Sequence, residues 1–193
     1  MKILASFIIV LNIFSLSGQE DINLKKQILE YIVNSYVSHE GPIYLQYGGN
    51  ELLKHYLNQN KITSDQDLSF HNLRQFLSED DIYAILNEEE VTNFRKQLER
   101  PIKEIIYTIE IKNPSIGYTP LVEVKQNFKT GVTLNAGIYY LVVSEPIISS
   151  DKKQVLVNIS QGIAGSNSGG IILFQVDEKS IIRPKANLDP WIE

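Results

Sequence analysis

The sequence predicts an α+β fold in which N-terminal helices pack on a C-terminal antiparallel β-meander sheet. Before Pro101, apolar residues recur at helical spacing; after it, they form short runs rich in β-branched and aromatic side chains. Helices that precede strands, rather than alternate with them, favour α+β over α/β. We expect one domain over residues 19–193, mainly helical in 19–100 and mainly β in 101–193.

Residues 1–18 are set apart because they have the features of a secretory signal peptide. Lys2 precedes an apolar run from Ile3 to Phe14, and small residues follow it. The run is too short for a mature membrane-spanning helix, which needs about 20 apolar residues. We therefore expect cleavage after Ser17 or Gly18 and export to the periplasm or the exterior.

The composition narrows the possible functions. The chain has no cysteine, which excludes disulfides, thiolate metal sites and a cysteine nucleophile. Its net charge of −5 argues against a nucleic-acid partner and against docking on anionic membranes. No later apolar run is long enough for stable membrane insertion.

Five helices are predicted, each from an apolar stripe and a start signal. Four of them have an expected cap: Asp21 (helix running to about Val37), Asn50, Ser69 and Ser78, the last with a capping box to Asp81; the fifth runs from Glu88 to Arg100. Between the first two, Ile43–Tyr47 is a short extended segment. In the first helix, Lys26 and Glu30 are expected to face away from the buried stripe.

The second half predicts six strands joined by polar turns. They are Glu104–Ile111, Leu121–Gln126, Ile138–Ser144, Val155–Gln161, Ile171–Val176 and Ser180–Arg183. Gly162–Gly170 matches neither a Walker loop nor a dinucleotide fingerprint, because an apolar strand follows it, and we predict a hairpin loop there. Trp191 is expected to hold the C-terminus against the sheet.

No metal or cofactor site is predicted. The three histidines, His39, His55 and His71, stand in separate segments and form no close ligand pair. The acidic clusters are typical of solvated helix starts.

The segment between His39 and Asn50 has the richest chemistry. Its candidate ligand-binding residues are His39, Glu40, Tyr44, Tyr47 and Asn50, which combine a base, an acid, an amide and two aromatic rings between glycine breaks. Tyr44 and Tyr47 could stack on a sugar or a peptide, or fill the core with their hydroxyls reaching outward.

The C-terminal part resembles a group of exported bacterial proteins of unknown function. The shared pattern is Ser-x-Pro-Ile at Ser144–Ile147, an Asp-Lys turn at Asp151-Lys152, an apolar strand, a Gly-rich loop and a second apolar strand. Ile181 or Ile182 stands where those proteins usually carry tryptophan. The resemblance implies export and no particular activity.

These observations predict a non-enzymatic binding or interaction protein of the bacterial envelope or exterior, with an unidentified protein or polysaccharide as its partner. The alternative is a hydrolase that acts on an envelope polymer through His39, Glu40 or nearby carboxylates.

Overall fold

The computed structural model describes residues 19–36, 43–64, 72–113, 116–118, 139–163 and 166–192. Residues 19–31 are helical (α1) and continue into a π-helical turn at Ile32–Tyr36. Three further α-helices follow: α2 (Asn50–Asn60), α3 (Glu79–Leu86) and α4 (Glu88–Glu99). Single 3-10 segments lie at Asn72–Gln75 and Lys103–Thr108.

The strands form one sheet. They are β1 (Ile43–Tyr47), β2 (Ile116–Tyr118), β3 (Tyr139–Val143), β4 (Ile147–Ile148), β5 (Gln154–Ile163), β6 (Ser166–Val176), β7 (Ile182–Asn187) and β8 (Trp191–Ile192). The main path runs β2-β1-β3-β5-β6-β7, while β4 pairs with β5 and β8 pairs with β6.

The α+β fold class is confirmed, and the sheet is mixed. Its β3-β5-β6-β7 part is antiparallel, as predicted for the C-terminal meander. The difference comes from β1, an N-terminal segment that inserts between β2 and β3 and runs parallel to both. Parallel neighbours need a long crossover connection. The chain from β1 to β3 supplies one, and it includes helices α2, α3 and α4.

The central strands of the sheet are buried on both faces. A first core contains Val155, Val157 and Ile159 of β5, against which Ile28 and Ile32 of the first helical segment pack. On the opposite face, a second core packs α2, α3 and α4 against β4, β5 and β6. It includes Leu53, Leu57, Ile82, Ile85, Val91, Phe94, Leu98, Leu156, Ile171 and Leu173. Helices therefore cover both faces of the sheet, which explains the nearly continuous apolar run of β5.

The predicted helix starts are confirmed at α3 and α4, where polar side chains cap the backbone. Ser78 Oγ accepts from the Asp81 N–H and donates to Asp81 Oδ2, which is the predicted capping box. Asn87 Oδ1 accepts from the Glu90 N–H at 2.9 Å. At α2 the cap is Gly49, and Asn50 is the first helical residue. The prediction of Asn50 as a cap was therefore off by one position.

Helix α4 is fixed to the short strand β4 by a side-chain amide. Gln97 Nε2 donates to the Ile148 carbonyl at 2.7 Å, and Gln97 Oε1 accepts from the Ile148 N–H at 3.0 Å. The side chain thus satisfies both polar groups of one strand residue, as a neighbouring strand would.

Two predictions in the second half were wrong. The segment Glu104–Ile111 is not a strand; it contains the 3-10 helix Lys103–Thr108, whose Ile105 and Ile106 lie in the first core. An i, i+1 apolar pair followed by Ile109 fits one face of a helical turn as well as a buried strand. The segment Gly162–Gly170 is mostly strand, because β5 and β6 continue pairing to Ile163 and Ser166.

The remaining predicted elements have mixed outcomes. The third helix is reduced to the 3-10 turn at Asn72–Gln75, and Phe76, which was expected in its buried stripe, is 71% exposed. Because the helical segment ends at Gln75, Phe76 does not continue the helical face that carries Leu73. Ser69 and the predicted strand Leu121–Gln126 lie outside the described residues. The backbone of Trp191 pairs with Gly169 in β8.

The turn between β1 and α2 yields a stability prediction. Gly49 has a φ of 88°, and a Cβ added there would overlap Asn158 Nδ2 of β5. We expect Gly49→Ala to lower the free energy of unfolding by about 2 kcal/mol or more, because left-handed strain adds to overpacking. Urea unfolding monitored by circular dichroism measures this loss.

Gly48→Ala is the matched control. A Cβ at Gly48 would lie 3.0 Å from Val142 Cγ1, at the end of a side chain that is able to adjust. The loss of stability should be clearly smaller than for Gly49→Ala. Equal losses in the two variants would contradict the proposed role of the Gly49 conformation.

Candidate functional site

The structure separates the predicted site residues. His39 and Glu40 lie outside the described residues. Tyr44 and Tyr47 are three apart on β1, so their side chains point to opposite faces of the sheet. Tyr47 packs against the first core and lies beside Asn50, whereas Tyr44 is on the other face. The five residues therefore do not form one site within the described chain.

Tyr47 and Asn50 belong to a buried polar network whose centre is Glu145. The Glu145 side chain is fully buried, and its Oε1 accepts from Lys25 Nζ at 2.6 Å. Lys25 is itself only 5% exposed. The other carboxylate oxygen, Oε2, accepts from the Ile102 N–H at 3.0 Å. A buried charge needs this kind of pairing, since desolvation of an unpaired carboxylate is very costly.

The network continues through the start of α2. Asn50 Oδ1 accepts from the Glu145 N–H at 2.9 Å, and Asn50 Nδ2 donates to the Tyr47 hydroxyl oxygen at 2.6 Å. Burial raises the pKa of Tyr47 to about 12; the hydrogen bond from Asn50 opposes this rise, and the charge of Glu145 adds to it. The Tyr47 hydroxyl is thus held neutral at ordinary pH.

This arrangement is suited to structure rather than to proton transfer. The Glu145 side chain has no exposed surface, and its two oxygens accept from an ammonium group and from a backbone N–H. A general acid or base needs an oxygen that can reach a substrate proton. The network instead ties α1, the β1–α2 turn, the Ser144–Ile147 segment and the residue after Pro101 to one another.

Sequence reasoning identified two members of this network and missed Lys25 and Glu145. For Lys25 a signal was present: it precedes Ile28, Leu29 and Ile32 at helical spacing, so it lies on the buried stripe of α1. For Glu145 the signal was weaker, an acid within Leu141–Ile148, where Ser144 is the one other polar residue. The pairing itself spans 120 positions in the chain, and no local pattern specifies it.

Tyr44 belongs to a different surface. It lies opposite Tyr140 in the β1–β3 register, and the two ring centroids are 6.2 Å apart with the planes tilted by 39°. Both rings are partly exposed, as are Gln46, Val142 and Ser160 on the same face of neighbouring strands. Farther along this face Leu156, Ile171 and Leu173 are buried in the second core. We call the Tyr44–Tyr140 pair with Gln46, Val142 and Ser160 the tyrosine face.

The tyrosine face has the chemistry of a stacking platform. Burial and the neighbouring Tyr44 raise the pKa of Tyr140, so its hydroxyl stays neutral and able to donate. The other side chains of the face are an amide, a hydroxyl and an apolar group, and none of them is charged. Aromatic rings beside neutral hydrogen-bonding groups suit uncharged partners that have both apolar and polar surfaces.

Other candidate sites carry less chemistry. His55 is exposed on α2, and His71 lies outside the described residues. Within the described ranges, no three histidine or carboxylate side chains come close enough together to hold a metal ion. In the same ranges, none of the helices combines the length and apolar character needed to cross a bilayer.

Comparisons of the chain with protein-family models, with curated proteins and with solved structures gave no match. The resemblance of the C-terminal part to exported proteins of unknown function stays a prediction from the sequence.

The buried ion pair yields the second stability prediction. Lys25→Met removes the ammonium group and leaves Glu145 as an uncompensated buried charge. We expect the free energy of unfolding to fall by about 3–5 kcal/mol, the usual cost of removing one partner of a buried pair. Urea unfolding of residues 19–193 at neutral pH measures this decrease in the free energy of unfolding.

Lys26→Met is the control, because it makes the same substitution one position along α1. Lys26 is on the exposed side, where its Nζ lies 3.8 Å from Glu30 Oε1. The free energy of unfolding of Lys26→Met should stay within about 0.5 kcal/mol of the wild-type value. If Lys25→Met cost no more than Lys26→Met, the Lys25–Glu145 pair would not have the structural role assigned to it.

Proposed function

We propose that the chain is an exported, non-enzymatic binding protein of the bacterial envelope or exterior. In this proposal it binds a polysaccharide partner through the tyrosine face. The observation that carries the proposal is the partly exposed Tyr44–Tyr140 pair, on the same face of the sheet as Leu156, Ile171 and Leu173, which the second core buries. Exposed aromatic pairs are often functional, since burying them would stabilise the fold.

The composition of the tyrosine face supports a sugar rather than a peptide. Sugar rings present C–H groups, which pack on aromatic rings, and hydroxyls, which pair with amides and hydroxyls. Gln46 and Ser160 supply an amide and a hydroxyl next to the two rings. A charged peptide would be recognised by side chains of opposite charge, and the tyrosine face contains no charged side chain.

The alternative, a hydrolase acting on an envelope polymer, has less support. It relied on His39, Glu40 and nearby carboxylates. The carboxylate that lies beside Tyr47 and Asn50 is Glu145, whose side chain is fully buried and paired with Lys25. Binding without catalysis is therefore the function we favour.

Export is supported by the composition of the first 18 residues. A single lysine, an apolar run and a short segment of small residues are the three parts of a signal peptide. The absence of cysteine is compatible with an exported domain whose stability comes from packing and ion pairing.

The binding proposal predicts the effect of removing the tyrosine pair. Tyr44→Ala/Tyr140→Ala should weaken binding to the polysaccharide about tenfold or more, because each stacked ring contributes about 0.5–1.5 kcal/mol beyond its buried area. The measurement is co-sedimentation of residues 19–193 with insoluble bacterial peptidoglycan and with a neutral insoluble glucan.

Tyr83→Ala/Tyr107→Ala is the control with the same composition change. Tyr83 and Tyr107 are 52% and 45% exposed and lie on α3 and the second 3-10 segment. This variant should bind like the wild-type chain. Equal binding by all three proteins, or no binding of either polymer by the wild-type chain, would reject the tyrosine face as a polysaccharide site. Release of soluble sugars by the wild-type chain would favour the hydrolase.

The export proposal predicts a new N-terminus. When the full chain is produced in a bacterium, N-terminal sequencing should find Gly18 or Gln19 as the first residue. Replacing apolar residues of the leader with Ile9→Lys/Val10→Asp should abolish this cleavage, because a charged segment is no longer a signal sequence. A wild-type protein that stays in the cytoplasm with Met1 in place would contradict export.

A further inference from the structure

We infer that the cavity between α1 and α4 is a binding site for a small organic oxyanion, with a carboxylate or phosphate group held by Lys96, Arg100 and Lys25. The cavity has a volume of about 390 Å³, at the lower end of the range for small-molecule pockets. Helix α1 supplies Asp21, Ile22 and Lys25, and the α4 side supplies Asn93, Lys96, Gln97, Arg100 and Ile102. We call it the α1–α4 cavity; it shares no residue with the tyrosine face.

The α4 wall contributes two cations. Lys96 lies in the last turn of α4, Arg100 directly follows the helix, and both line the cavity. Neither forms an ion pair with another residue of the described chain. Arginine can bind the two oxygens of a carboxylate or phosphate at once, and lysine adds a point charge.

The wall is held in place by the residues between these cations. Asn93 Nδ2 and Gln97 Nε2 both donate to the Ile148 carbonyl, at 3.2 and 2.7 Å. These bonds fix the rotation of α4 about its axis. The end of α4, where Lys96 and Arg100 lie, is therefore positioned before any ligand arrives, which lowers the cost of binding.

The floor of the cavity is Lys25. Its ammonium group has three N–H donors, and among the described residues Glu145 is its one hydrogen-bond acceptor. The Lys25–Glu145 pair is neutral as a unit, yet the remaining N–H groups of Lys25 can donate to a ligand oxygen. A buried donor of this kind binds more strongly than an exposed one, because water competes less.

The charges around the cavity leave a local positive surplus. Lys152 Nζ pairs with both Glu20 Oε2, at 2.9 Å, and Asp21 Oδ1, at 3.0 Å, so these three groups together carry one net negative charge; Lys25 is compensated by Glu145. The two positive charges of Lys96 and Arg100 exceed it, in a chain whose net charge is −5. Cations near a helix C-terminus also interact favourably with the helix dipole, but this holds for any side of the helix. Here both also line the cavity.

The remaining wall residues indicate the rest of the ligand. Ile22 and Ile102 face the same cavity as the cations, so the oxyanion would be carried on a small organic group with some apolar surface. Inorganic phosphate tests the charged part alone, and benzoate tests the charged part together with an apolar ring.

The experiment is a calorimetric titration of residues 19–193 with inorganic phosphate and, separately, with benzoate. It is done at an ionic strength of about 20 mM, because screening weakens exposed charges at higher salt. We expect saturable binding of benzoate by the wild-type chain. In Lys96→Gln/Arg100→Gln the affinity should fall about tenfold or more, since two charge-assisted contacts are lost.

Lys179→Gln/Arg183→Gln is the control, because it removes the same two charges from exposed positions outside the cavity. Its affinity should stay within about twofold of the wild-type value, as expected for distant surface charges. Circular dichroism melts confirm that both variants are folded. The inference is overturned if benzoate shows no saturable binding up to about 20 mM, or if both double variants lose affinity equally. Saturable binding of phosphate with no binding of benzoate would also overturn it, because the apolar walls would then have no role.

Discussion

The buried ion pair between Lys25 and Glu145 is the interaction on which the arrangement of this protein depends. It joins the first helix to the segment between β3 and β4, and Glu145 also holds the Ile102 N–H and, through its own N–H, Asn50. Two charges in the interior cost several kcal/mol each to desolvate, so their contribution lies in specifying one arrangement rather than in adding stability. A displaced α1 would leave Glu145 without its ammonium partner.

The second constraint on the structure is that helices must cover both faces of the central strands of the sheet. The α1 segment covers one face, and α2, α3 and α4 cover the other. The helices on each face must be positioned correctly against the sheet. The ion-pair network lies where the helices of the two layers approach each other. Gln97 and Glu90 perform a similar task on the β4 side, where Glu90 accepts from the Ser150 N–H. Buried polar groups with satisfied partners thus mark the places where elements that are distant in sequence are joined.

The fold could be predicted from the sequence where local signals decide the structure. The capping box at Ser78, the helix Glu88–Glu99 and the strands around Val157 and Leu173 all depend on spacing within a dozen residues. The parallel insertion of β1 could not be predicted, because it depends on pairing with Tyr139–Val143, almost a hundred positions away. The 3-10 segment at Lys103–Thr108 was also missed, since its apolar pattern fits a strand equally well.

The candidate site was predicted only in part, because local sequence patterns do not specify which distant residues meet in the fold. Local composition identified Tyr44, Tyr47 and Asn50 as unusual, but the alternation of β1 decides that Tyr44 is open while Tyr47 faces the core. Tyr47 and Asn50 are then engaged by Glu145 and are not free to meet a ligand. A ligand can be met only by groups that the fold does not already engage. The two proposed sites use such groups of the described chain: the Tyr44–Tyr140 rings, which are partly exposed, and the cations Lys96 and Arg100, which line a cavity without an ion-pair partner.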